Sequence, residues 1–299
     1  MKQWFPFLPI ILFIALISSC QNSSLKKVKV DQLDVIIIND GNQIGEFWKH
    51  FESNTKIRVH AQTMHLDSFI KKASKEGYNL NADVIYMPNV RTLATLHSQN
   101  LLQSIPNLKY VEVTDEQPTK DWIVLGLNPY ITSGDKALNS YSDLKSNGTW
   151  QSILTESELK SFYHFAKLHF KDDKKFGEWK TVMEEKRTEK TTTYDSIYRP
   201  VQTLTLYNKE NKNPQLTNLQ GAGMFYDFST VGIYPHAKNY MAAKKFVEWM
   251  IKPAHAAKIS EALHLVPTNY STLSGYKHFK FHRISPEYLL KSAESSLSE

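Results

Sequence analysis

Cys20 is the single cysteine of this 299-residue chain. It stands directly after an apolar run from Trp4 to Ile17 and the pair Ser18-Ser19. A second chemical group is made of side-chain amides. Asn39, Asn42 and Gln43 follow the run LDVIII, and Asn89 follows ADVIYMP. An amide both donates and accepts, so it can read a polar ligand without carrying charge; the same residues also cap helices and close turns. The third group is TYDSIYRP, where Tyr194, Asp195 and Tyr198 precede Arg199, whose guanidinium can pair with an anionic group. Other constellations are missing. The sequence holds no Gly-rich phosphate loop with a lysine, no GxSxG, no HExxH and no EF-hand loop. Its 11 histidines are scattered, and His255 and His264 are too far apart to pair on one helical face. Glu184-Glu185 and Asp172-Asp173 fall in charged helical stretches, where a solvated face is the plain reading. No enzyme is expected.

The N-terminus narrows the role of Cys20. Lys2 supplies a positive charge ahead of the apolar run, which has the length of a signal-peptide core and is too short for a permanent membrane span. Ile17-Ser18-Ser19-Cys20 resembles the lipobox of bacterial lipoproteins, whose cysteine is acylated and becomes the mature N-terminus. Residues 1–19 are then a lipoprotein signal peptide. Residues 20–32, with QNSSLKK directly after the cysteine, are a polar tether. Two or more acyl chains hold a protein stably on a membrane. The expected location is therefore a membrane surface, periplasmic or cell-surface.

Composition excludes several classes. Lys and Arg number 36 against 30 Asp and Glu, a formal charge of +6 that mildly favours acidic partners. The cations are interleaved with anions and form no basic stripe with stacking aromatics, so nucleic acid is not expected as a partner. With no cysteine beyond Cys20, disulfides and thiolate metal sites are ruled out of the mature chain.

The positioning elements follow from periodicity. Leu33 to Ile38 is continuous, apolar and β-branched, the pattern of a buried parallel strand. Ile44, Phe47, Trp48 and Phe51 keep helical spacing. Lys56 to Ala61 alternates as a strand, and Leu66, Phe69, Ile70 and Ala73 form a helical stripe stopped by Gly77. Val84 to Tyr86 is a short strand and Val90 to Gln99 a helix. Strand and helix alternating in this way give a mainly parallel sheet. Ligands collect outside the carboxyl ends of such strands, here the loops Asn39 to Gln43 and Tyr86 to Asn89. Further on, Asp121 to Leu127 reads as a strand to which Tyr130 to Ser133 can pair. Ser157 to Arg187 is helical and charged, and Val201 to Tyr207 a strand. Ala222 to Tyr226 and Val231 to Tyr234 read as two short strands, and Met241 to Ile251 as an amphipathic helix. Pro253 opens another helix.

Several stretches in order resemble the iron(III)-binding solute receptors of ABC transporters. NADVIYMPNVRTLATLHSQNLLQSI, Asn81 to Ile105, is similar to their segment around a ligand loop. KDWIVLGLNPYI, Lys120 to Ile131, is similar to their crossover strand. Tyr141 to Trp150 is similar to a DL…W turn, Val231 to Asn269 to their C-terminal signature, and LDVIIINDGNQ to their opening strand. The resemblance implies an α/β, two-lobed periplasmic-binding-protein-like type II fold with crossover hinge strands. Lobe 1 would be 33–118 plus 222–270, and lobe 2 119–221 plus 271–299. An ABC permease and ATPase are the implied partners, and a small molecule or metal the implied ligand. No cofactor is required; Fe(III) is the bound ion the family implies.

Members of that family hold Fe(III) with adjacent tyrosines, often a histidine from the opening loop and a glutamate after ADV. Phenolate and carboxylate oxygens suit a hard trivalent ion. Carried onto this chain, the donors are Tyr194, Asp195 and Tyr198. If TYDSIYRP is helical, its four-residue spacing sets both phenols on one face, although Pro200 and the threonines oppose a long helix. The chain departs from the pattern elsewhere. Its opening loop has Asn42 and Gln43 for the histidine, and Met87, Pro88 and Asn89 stand where the glutamate is expected. Thr155-Glu156-Ser157-Glu158 occupies the segment that usually holds an anion, and its glutamates would repel one. Two expectations result: a tethered receptor with Asn39, Asn42, Gln43, Asn89, Tyr194, Tyr198 and Arg199 lining its site, for ferric iron, a chelated metal or a small anion; or a two-lobed lipoprotein that has lost the metal site and serves as a surface or assembly interaction module.

Overall fold

The structure, a computed structural model, describes residues 32–38, 47–106, 108, 121–129, 131–133, 150–152, 156–170, 172–186, 195–198, 226–263, 265 and 286–297. Cys20, Asn39, Asn42, Gln43, Tyr194 and Arg199 lie outside these residues, as do the expected strand 201–207 and the turn 141–149.

The first sheet is built on apolar runs. Strand β1 (Gln32–Ile38) is buried from Leu33 onward, as a strand covered on both faces must be. It pairs in parallel with β2 (Arg58–Met64), from Gln32↔Arg58 to Ile38↔Met64. It also pairs in parallel with β3 (Val84–Met87) through Val35↔Val84 to Ile37↔Tyr86. β2 is an edge strand, and no residue of it is fully buried. β8 (Tyr226–Ile233) runs antiparallel to β3, and β4 (Trp122–Pro129) antiparallel to β8. The order is β2-β1-β3-β8-β4.

Helices cover both faces. Ile36, Ile38, Ile85 and Met87 share one apolar cluster with Phe69 and Ala73 of α2 (Leu66–Glu76) and Leu93 and Leu96 of α3 (Val90–Ser98). The same cluster takes in Phe162 of α4 (Glu156–Phe170), Trp179 of α5 (Asp173–Lys186) and Leu289 of α8 (Pro286–Ser296). Val35 and Ile37 alternate to the opposite side. There α1 (Lys49–Thr55) and α6 (Tyr240–Met250) bring Phe51 and Phe246 edge to face, centroids 4.8 Å apart. α2 stops at Gly77, whose φ of +50° and ψ of −117° suit a residue without Cβ. α7 (Pro253–Ala262) follows α6 after a two-residue break.

A second, smaller sheet has the order β5-β7-β6, from Ile131–Ser133, Asp195–Tyr198 and Trp150–Ser152. Three readings change here. Ile131–Ser133 pairs with β7 and not with β4; a single residue between Pro129 and Ile131 is too short for a hairpin turn. Asp195–Tyr198 is a strand, so helical spacing does not govern it. The two short strands expected around 222–234 are one eight-residue strand, Tyr226–Ile233. β4 and α8 both fall in stretches expected in the second lobe. β4 is nonetheless hydrogen-bonded into the five-stranded sheet, and Leu289, Leu290 and Ala293 of α8 join that sheet's core cluster. The chain passes from one sheet to the other between Pro129 and Ile131.

Candidate functional site

The carboxyl end of β3 runs into Pro88 and Asn89, and three buried strand residues fix that loop. Asn128 of β4 donates from Nδ2 to the Pro88 carbonyl at 3.1 Å and to Ser229 Oγ of β8 at 2.9 Å. Ser229 Oγ donates to the same carbonyl at 3.0 Å and accepts from the Tyr86 hydroxyl at 3.2 Å. Each hydroxyl thus uses one proton, and Ser229 accepts with both lone pairs. Asn128 is 4% and Ser229 0% exposed, so the bonds form away from water, where breaking one leaves an expensive orphan. Asn128 Oδ1 and Thr230 Oγ1 are buried without a hydrogen-bond partner.

The next turn is fixed by two side chains. Asn89 has extended backbone (φ −151°, ψ 164°), and its Oδ1 accepts from Thr92 N–H at 2.8 Å, the N-cap bond of α3. Asp227 Oδ1 accepts from Val90 N–H at 2.8 Å and from its neighbour Phe228 N–H at 2.7 Å. A carboxylate is favoured at the positive end of a helix dipole. It also occupies the position where an anionic ligand group would otherwise meet the exposed N–H groups. Asn89 is 4% and Asp227 2% exposed. The capping role foreseen as an alternative for Asn89 is the one its oxygen performs.

β4 and β8 extend beyond β3. Their last cross-strand partners are Asn128↔Asp227 and Pro129↔Tyr226, while β3 ends at Met87↔Thr230. Two antiparallel strands thus leave the first sheet side by side, and two residues past Pro129 the chain is paired with β7 in the second sheet through Ile131↔Tyr198. Tyr198 therefore sits at the entry to the second sheet, and Asp195 three residues away at its pairing with Trp150. α4 begins at Glu156, so Glu156 and Glu158 belong to its first turn. Among the described residues no group of three or more His, Cys, Asp or Glu side chains is arranged to hold a metal ion.

Asp227, Ser229 and Asn128 are not among the candidates the sequence offers, whereas Tyr86 opens the candidate loop Tyr86 to Asn89. The polar run Asp227 to Thr230 interrupts the apolar signal and reads as a gap between strands. Three polar residues, Asp227, Ser229 and Thr230, set between the apolar stretches 222–226 and 231–234 are the signal the sequence offers.

Neither a protein-family model nor a curated protein matches the chain. Solved structures do. The apo ferric ion-binding protein A of Pasteurella haemolytica is 18% identical with a TM-score of 0.73, over 90% of this chain and 96% of that one. Iron-bound HitA of Pseudomonas aeruginosa is 18% identical with a TM-score of 0.69, over 89% and 97%. A periplasmic thiamin-binding protein is 13% identical with a TM-score of 0.67, over 90% and 96%. The chain shares the α/β fold of these binding proteins along nearly their whole length.

Proposed function

We propose that this chain is an extracytoplasmic solute-binding lipoprotein of an ABC importer, tethered through Cys20, which takes ferric iron, a chelated metal or a small anion between two lobes. It is a binding protein and not an enzyme. The observation that carries this reading is the pair of crossover strands. β4 and β8 run together out of one sheet, and β4 leads within two residues into the other, which is how two lobes close on a ligand as on a hinge. The fold shared with binding proteins for ferric iron and thiamin supports it. The loop that follows β3 is held rigidly against both crossover strands, so the ligand rim of the first lobe is preorganised.

Within the reading, Asp227 argues about charge. It fills the N-terminus of α3 with its own carboxylate, so an anionic group would be held by the second lobe and Arg199 instead. Tyr194, Asp195 and Tyr198 are the donors for a hard metal ion. Adding ferric citrate to the purified chain tests this. A visible tyrosinate-to-iron band, lost in Tyr198→Phe, is expected; a colourless mixture removes iron from the reading. The interaction-module reading keeps one observation in its favour: Asn89, at the position of a family ligand loop, is spent on capping a helix.

A further inference from the structure

Two histidines far apart in sequence meet on the face covered by α1 and α6. His50 lies on α1 and His255 on α7, their ring centroids 5.8 Å apart and nearly perpendicular at 75°. His255 stacks on Trp249 with centroids at 4.6 Å and an interplanar angle of 27°, and His50 lies 6.1 Å from the same indole. Trp249 is buried and packs edge to face on Phe51 at 5.6 Å. The imidazoles therefore stand on a rigid aromatic base.

Their hydrogen bonds set the tautomer of each ring. His255 Nδ1 is 2.9 Å from the Trp249 carbonyl, an acceptor only, so Nδ1 carries the proton and Nε2 presents a lone pair. His50 Nε2 lies 3.4 Å from the Asn54 amide nitrogen, a donor only, so its lone pair accepts that long hydrogen bond and a metal ion must displace it to bind there. A backbone carbonyl on the far nitrogen is the usual second partner of a metal-bound histidine, fixing its tautomer and orientation. His50 is exposed and His255 half-buried, which leaves room for water to complete a coordination shell.

We propose that His50 and His255 form a two-imidazole site for a borderline divalent cation, Zn(II), Ni(II) or Cu(II), separate from the ligand rim at the crossover strands. Imidazole nitrogen selects these ions over hard Fe(III), Mg(II) or Ca(II). The site rests on none of the residues assigned to the inter-lobe ligand, so the two assignments stand or fall separately.

The test is a titration of the tag-free full chain in detergent with CuCl2, read by isothermal calorimetry and by electron paramagnetic resonance. One copper per chain, with hyperfine structure from two imidazole nitrogens, is expected. His50→Ala removes an exposed side chain without touching the core and should weaken binding at least about tenfold; His255→Ala should do the same. Absence of stoichiometric binding, or affinity kept in both His50→Ala and His255→Ala, overturns the proposal.

Discussion

Asp83 shows how much a single carboxylate holds together at the amino end of β3. It is 1% exposed. Its Oδ2 accepts from Asp34 N–H of β1 at 3.0 Å and its Oδ1 from Asn239 N–H, just before α6, at 2.8 Å. Asp83→Ala leaves both amides without that acceptor and should cost about 3 kcal/mol, seen as a lower urea midpoint. The ligand rim, at the other end of β3, should bind as before. Tyr234 gives a pH signature. Burial, and then the negative charge of Glu76, raise its phenol above the ordinary 10.0. A raised acid is stabilised in its protonated form, so its contribution is complete below pH 10 and is lost as pH climbs through the folded value. Thermal melts between pH 8 and 11 should fall more steeply for the wild type than for Tyr234→Phe. Asn89→Ala should cost about 1 kcal/mol through the lost cap. Asn89→Ser should restore stability, because serine caps as well. The sequence made Asn89 visible as a loop amide. It did not show which of its two roles wins, since that depends on where Thr92 N–H ends up.

At the scale of elements, the parallel half was legible because apolar periodicity tracks burial directly. LDVIII, the stripe Leu66 to Ala73 and the stop at Gly77 all correspond to observed elements. The failures share a cause. β8 escapes the pattern because Asp227, Ser229 and Thr230 are polar, yet all are buried, with Asp227 bonded to the first turn of α3 and Ser229 to the Pro88 carbonyl; pattern registers polarity, whereas tertiary partners decide burial. β5 was paired with its neighbour in sequence because its true partner, β7, lies beyond a long connection. Gly77 sets a local test. With φ at +50° and open space around the Cβ position, Gly77→Ala meets no clash, so any loss reports backbone strain alone. A drop of about 1–2 kcal/mol in urea unfolding is expected. Gly232 is different: a Cβ there would lie 2.8 Å from Leu102 Cδ2 and 3.2 Å from the Asp121 carbonyl. Gly232→Val should be the more damaging of the two.

Across the whole molecule, the two-sheet design was readable from the order of segments, while the ligand was not. In the proposed reading the binding residues are drawn from 39–43, 88–89 and 194–199, and no single stretch carries the pattern of a cargo. The clearest buried chemistry that the structure adds, the Tyr86–Ser229–Asn128 network on the Pro88 carbonyl, serves to set the rim against the crossover strands. Under the proposed function the chain gains stability from its ligand, because the folded form binds it and the unfolded chain does not. The gain follows ligand concentration and reaches about 2.7 kcal/mol at a hundredfold excess over Kd. The direct measurement is a thermal-shift titration of the His50→Ala/His255→Ala chain, which silences the proposed surface imidazoles, against ferric citrate, chelated divalent metals and small organic anions. The account predicts a concentration-dependent rise in Tm with one of these ligands. A Tm unchanged across all of them contradicts it.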